Sequence, residues 1–305
     1  MRRSLWNRVR GRGQTTVPGP YVRRLRLSRE LKGLREGNGL SIDALAREVG
    51  SRRQRISEIE NCHVRPDDAE INKILDFFRV TELRRAAILA AAADARHVGW
   101  WEKISAAIGP RQALYADLES GAGLISEYQL TLLPGLLQIP EFTAAYARVD
   151  RTLYAETFDP ERAVEARAAR QANLARSNPP RYHVVIDELA IRRFAATAGA
   201  AHEQLEHIAV ILQDNPGITV QVLPVSARIP GGLTPRSAFS MYQYPDPDDP
   251  VVVAVDTITS DLLLTEPEHV APYLRLHQRL SEAALSRSDT FDFLVMVGED
   301  LDRTG

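Results

Sequence analysis

The chain is poor in the residues that build covalent or metal-held scaffolds. Its 305 residues include one cysteine, Cys62. A lone cysteine excludes an intramolecular disulfide framework and suits a reducing compartment. No run of about twenty apolar residues occurs, so no membrane-spanning helix is expected. The first twenty residues are basic and lack the apolar stretch of a secretory signal, so a cytoplasmic protein is expected. A glycine-rich phosphate loop, a nucleophile elbow and the Cys/His spacing of a metal site are also missing. No cofactor or metal is therefore expected.

What is present is ordinary in amount and uneven in placement. Apolar residues make up 44% of the chain and charged residues 26%, as in globular proteins generally. The length exceeds the usual single domain, so two are expected. Net charge is only −2. Residues 1–65, however, hold fifteen arginines and one lysine against six acidic residues, a net +10. Residues 66–305 hold 22 basic against 34 acidic residues, a net −12. A basic head on an acidic body suggests that the head meets a polyanion.

Residues 1–20 mix Gly, Pro and Arg without periodicity and read as a disordered basic arm. Helical patterning follows from Val22 to about Ala93. Leu25, Leu31 and Leu34 are grouped as one apolar face, ended by Gly37 and Gly39. Ser41 caps a second helix, Ser51 a third, Pro66-Asp67-Asp68 starts a fourth, and Glu82 opens a fifth, Ala-rich one. The texture changes near residue 96, which divides a helical head (21–95) from a mixed α/β body (96–305). In the body, helices are expected over 111–119, 140–149, 158–176, 187–195, 201–214 and 266–286. Strands are expected over 124–128, 182–186, 218–223, 238–242, 251–256 and 262–264. The fold class expected is α+β, a five-helix bundle followed by a mixed α/β regulatory domain.

The segment SIDALAREVGSRRQRISEIEN at 41–61 has the register of a helix-turn-helix. Ala46 is small where two helices cross, Gly50 permits the turn, and Ile56 and Ile59 pin the second helix to the core. The other face keeps Arg52, Arg53, Gln54, Arg55, Ser57 and Glu58. Arginine can donate two hydrogen bonds to guanine and glutamine can pair with adenine. These residues lie toward the helix N-terminus, the end that enters the major groove. Arg53, Gln54 and Glu58 are assigned to bases, and Arg52 and Arg55 to phosphates or shared base contacts. A solvated basic helix in an ordinary bundle would carry the same charges, but not the matching Gly, Ala and Ile positions.

With Leu45-Ala46, Gly50, Ile56-Ser57, Ile59-Glu60 and Pro66 in place, residues 22–80 resemble the XRE, or phage-repressor-like, helix-turn-helix family. That resemblance implies a five-helix domain binding double-stranded DNA, and we expect a homodimer on a short inverted repeat. The family's usual glycine after the motif Glu is replaced by Asn61-Cys62, a small departure, since Asn tolerates the left-handed conformation. Beyond residue 100, Ile125-Ser126-Glu127-Tyr128, Pro134-Gly135-Leu136-Leu137-Gln138, Arg167, Arg170-Gln171 and Gln204-Leu205 resemble domain of unknown function 5753 of WhiJ-like regulators. This second resemblance implies a sensory domain that binds a small partner protein or small-molecule effector, in an antitoxin-like arrangement.

Other constellations carry less. Pro134 to Leu137 reads as core packing or an exposed apolar patch. Arg167, Arg170 and Arg176 read as a salt-bridged face or an anion site. Asp187-Glu188 follows a strand, as catalytic carboxylates do, yet is equally placed to cap a helix. His202 and His207, five apart, do not share a helix face as zinc ligands would. Cys62 reads as a packed helix-end residue or a redox sensor. The protein is thus expected not to be an enzyme. A regulator fused to a catalytic domain is the alternative, which would show as a deep pocket of converging polar groups.

Overall fold

The computed structural model describes residues 18–103, 105–153, 159–194, 196–257 and 260–304. The expected basic arm lies, up to residue 17, outside the described residues. Pro18, Gly19 and Pro20 do not continue an arm: all three are buried, and the Gly19 N–H reaches the Ser120 carbonyl at 3.2 Å.

Helix α1 (Pro20–Gly37) starts with proline at its first turn, where no N–H is needed. It serves two cores. Leu27, Leu31 and Leu34 recur at i, i+4 and i+7 and face the head. Leu25 does not join them, as the sequence grouping had it, but packs with Val22 against the body's core. Six residues of helix separate Leu25 from Leu31, which turns it roughly 120° away. The head is completed by α2 (Ile42–Glu48), α3 (Arg53–Glu60), α4 (Asp68–Phe77) and α5 (Glu82–Ala95). Ser41 caps α2, accepting the Ala44 N–H at 3.1 Å. Asp67 and Glu70 form a reciprocal capping box on α4. Ser51 does not cap α3: the helix begins two residues later, with Arg52 at the cap position and no side-chain cap.

Short helices α6 (Trp100–Lys103) and α7 (Ser105–Ile108) lead to α8 (Pro110–Glu119) and the body. There β1 (Leu124–Gln129) leads through α9 (Pro140–Leu153) and α10 (Pro160–Gln171) to β2 (Arg181–Asp187). Then come α11 (Glu188–Arg192), α12 (Ala198–Asp214), β3 (Ile218–Leu223), β4 (Phe239–Gln243), β5 (Val252–Asp256) and β6 (Asp261–Leu264). The chain ends in α13 (Pro267–Ala283) and α14 (Arg287–Thr304).

The sheet runs β3-β2-β1-β4-β5-β6, with β1, β2 and β3 parallel and the remaining pairs antiparallel. Alternation along the strands sends Ile125, Tyr182, Val184 and Val220 to one face, against α12 and α14. Tyr128, Val185, Phe239 and Val253 go to the other, against α13. Both faces are therefore covered, which explains why these strands read as nearly continuous apolar runs. The whole is α+β, as its sequence pattern implies.

Candidate DNA-reading surface

Helix α3 is held from behind. Ile56 and Ile59 are buried among α1, α2 and α4 side chains. Gly50 takes φ +63, the left-handed turn that only glycine adopts freely. At the far end, buried Glu60 receives Arg35 through two hydrogen bonds of 2.8 Å, and the Ser28 hydroxyl donates to its carbonyl. Arg35 also donates to the Leu40 carbonyl at 2.8 Å, so α1 fixes both the helix and the loop before α2.

The left-handed residue after α3 is Cys62, at φ 60, and not Asn61. Asn61 keeps φ −105 and turns its amide back onto the Ser57 carbonyl at 2.7 Å. That bond closes the helix locally and moves the strained position one residue on. The half-buried Cys62 thiol donates to the Arg24 carbonyl at 3.4 Å, and burial pushes its pKa above the ordinary value. Such a thiol is poorly ionised and behaves as a packed residue.

The front of α3 is open at its N-terminal turn. Arg52, Arg53 and Gln54 are exposed. Arg53 meets Asp43 of α2 at 3.2 Å and the Gln54 amide donates to Glu58 at 2.9 Å. Contacts so exposed contribute little and exchange readily for a ligand. Ser57 and Glu58 follow one turn on, half-buried. Arg55 differs: it points toward α4, where Glu70 takes it at 2.6 and 2.7 Å. With no acidic residue in the first turn and no side-chain cap, α3 presents unpaired N–H groups of the kind that bind phosphate.

The +10 of residues 1–65 overstates the free positive charge. Arg23 and Arg26 are turned inward, onto Asp246, Asp248 and Asp249 in the turn between β4 and β5. Arg65 pairs with Glu102 at 2.6 Å. Asp117 of α8 accepts the Tyr21 N–H at 3.1 Å and the Trp101 indole N–H at 3.2 Å. These contacts tie the head to the body. In the sequence, the 245–250 segment reads only as a turn; its three aspartates were the available signal.

In the body, Pro134 to Gln138 forms a short 3-10 turn whose Leu136 and Leu137 are buried. Gln171 donates to the Gly135 and Gln138 carbonyls (3.2 and 2.7 Å), and Gln204 to the Leu137 carbonyl at 2.8 Å. Arg167 donates to the Gln138 side chain. Residues singled out separately in the sequence thus form one latch, and the turn is core rather than an exposed patch. Arg170 is buried against Glu119, and Arg176 is spread over the Asn178 and Ala122 carbonyls, so the arginines do not converge on an anion site.

The other polar constellations are also structural. Asp187 accepts the Leu189 N–H and the Tyr128 hydroxyl, both at 3.0 Å, as a helix cap. His202 faces the Gly298 carbonyl of α14 at 3.0 Å. Among the described residues, no group of three or more His, Cys, Asp or Glu is placed to hold a metal ion. A cleft of about 430 Å³ opens between α1, α5 and the aspartate turn, lined by Arg26, Glu30, Arg84 and Asp248. Its charges already pair with one another, Arg26 with Asp248 and Arg84 with Glu30. No described helix is long and apolar enough to cross a membrane.

Two sequence families match the chain. The one described as Helix-turn-helix domain covers residues 26–88, and the one described as Domain of unknown function (DUF5753) covers residues 112–295. No curated protein and no solved structure matches it.

Proposed function

Since the chain belongs to the DUF5753 family and carries a helix-turn-helix domain ahead of that region, we propose that it is a sequence-specific DNA-binding transcriptional regulator of the cytoplasm. The observation that carries this reading is the exposure of Arg52, Arg53 and Gln54 on the first turn of a helix braced from behind by the Arg35–Glu60 pair. Arg53 and Gln54 suit base edges, Arg52 and the α3 N-terminus suit phosphates, and Ser57 and Glu58 extend the surface by one turn. Arg55 acts one step back, holding α4 against α3.

An eight-residue helix touches few base pairs. A homodimer on an inverted repeat would supply the missing specificity, with half-sites about one helical turn or a multiple apart. The second half binds a small partner protein or effector in an antitoxin-like arrangement and is not an enzyme. Asp187 caps α11, and Arg167, Gln171 and Gln204 hold the Gly135–Leu137 turn, so these residues serve the fold. Footprinting on the DNA upstream of its own gene tests the reading. A protected pair of symmetric half-sites is expected, and protection of one asymmetric half-site by a monomer would contradict the dimer.

A further inference from the structure

Three arginines at one end of the sheet meet no carboxylate. Arg228 and Arg236 lie in the connection between β3 and β4, residues 224–238, and Arg193 follows α11. All three are exposed, and their side chains make no hydrogen bond or ion pair among the described residues.

The strand register places these segments at the same end of the sheet. Parallel β1, β2 and β3 end side by side, with Gln129 opposite Ile186 and Asp187 opposite Leu223. Strand β4 starts at the same edge, Phe239 opposite Tyr128. The 224–238 connection therefore crosses the carboxyl ends of the parallel strands, and the Val225 N–H donates to Glu188 at 2.9 Å, pinning its start to α11. In open, mostly parallel α/β sheets, ligands bind in the crevice outside the carboxyl ends of the strands.

The chemistry of this edge is distinctive. Val225 is 67% exposed, Leu233 46%, Leu132 43% and Leu189 37%. Segments 130–138 and 224–238 contain no acidic residue. Carboxylates at this end of the sheet are occupied: Asp187 in capping α11, Glu188 with Val225 and Arg192, and Asp256 and Asp261 with Arg111. The unpaired charge on the 224–238 connection and just after α11 is positive, although residues 66–305 carry a net −12.

The edge is remote from the DNA-reading helix. Strand β4 runs from it to the opposite end, where the turn holding Asp246, Asp248 and Asp249 grips α1. Five residues of strand span about 17 Å. A second copy seated here by its acidic surface would be joined head to tail, and such contacts grow into open filaments unless the rotation closes. A small anion would leave the leucines unused.

We propose that this carboxyl edge is a docking surface for an acidic segment of a partner protein, with apolar side chains set between its carboxylates. The proposal rests on the reading of the second half as the partner-binding half, and it places the partner at the opposite end of the sheet from the head.

The test is selection of displayed random short peptides on the full-length protein, followed by titration of the enriched peptides against wild type and Arg228→Glu/Arg236→Glu. Enriched peptides should be rich in Asp, Glu and large apolar residues, and the double reversal should weaken them about tenfold or more. Both positions are exposed, so unchanged thermal unfolding is expected, and Leu233→Asp gives a second reading at the same surface. The proposal fails if nothing is enriched, if enriched peptides lack acidic residues, or if both variants bind them as wild type does. It also fails if the reversal abolishes duplex binding, which would make this a DNA contact, or abolishes self-association, which would make it a contact between copies. Duplex binding measured on the same samples separates the two readings: DNA binding without peptide capture removes the docking surface and leaves the regulator.

Discussion

Glu70 grips Arg55 through two hydrogen bonds, 2.6 and 2.7 Å, while its carboxylate also accepts the Asp67 N–H at 3.0 Å. One acidic side chain therefore closes α4 and holds Arg55 toward α4. Arg55→Ala should cost about 1 kcal/mol of stability or less, since the pair is partly exposed. It should leave the preferred DNA sequence unchanged. Arg53→Ala, by contrast, should cost roughly 1–3 kcal/mol in binding and relax choice at one base position. Unfolding curves and competition with single-base operator variants check both.

That contrast marks how far the sequence can be read. Local signals were legible: the Ser41 cap, the Gly50 turn, the Asp67 start of α4 and six strands with boundaries within a residue or two. What escaped depends on distant partners. The Arg-Arg-Gln-Arg run does not show that Arg55 has Glu70 beside it. Nor does composition show that Arg23 and Arg26 face aspartates more than two hundred residues away. Helix α14 went unexpected because FDFLVMVG at 291–298 is rich in β-formers and ends in glycine. Packing of Leu294 and Val297 into the body's core overrides that local preference.

The Arg35–Glu60 pair is buried, and breaking it strands a charge. Arg35→Ala or Glu60→Ala should each destabilise the head by about 3–5 kcal/mol. Replacing both partners with apolar residues of similar volume should recover much of the loss. Denaturant unfolding of the two single variants and the double variant checks this, and equal losses in all three would contradict it.

Two residues bracket α3 in the left-handed region, Gly50 at φ +63 and Cys62 at φ 60. Gly50→Ala should cost roughly 1–2 kcal/mol, because a Cβ is disfavoured there. Cys62→Gly relieves the same strain and should be tolerated. Thermal unfolding of the pair gives the comparison, and a tolerated Gly50→Ala would show that the turn is not held as described.

Two buried groups pull the pH dependence in opposite directions. Burial pushes Asp117 up to about 7, so the folded state holds its proton more tightly. Its contribution is largest in acid and is lost as pH rises from about 4 toward 7. Burial, with His183 beside it, pushes His277 down to about 4. Its contribution is intact above about pH 6.5 and is lost as pH falls toward 4. Between pH 4 and 6.5 the two therefore oppose each other. Relative to wild type, Asp117→Asn should show a more positive slope of stability against pH over this range, and His277→Gln a more negative one. Identical slopes in the two variants would contradict these assignments.

The central claim is that the first turn of α3 reads DNA. Its most direct test is selection of binding sites from random duplexes with wild type and with an Arg52→Ala/Arg53→Ala/Gln54→Ala variant, followed by titration at several salt concentrations. Wild type should enrich one inverted repeat and lose affinity steeply with salt, with log K falling by about 0.9 per phosphate contacted for each tenfold rise. The folded variant should enrich none. Enrichment of the same repeat, with equal affinity, by the variant would contradict the claim.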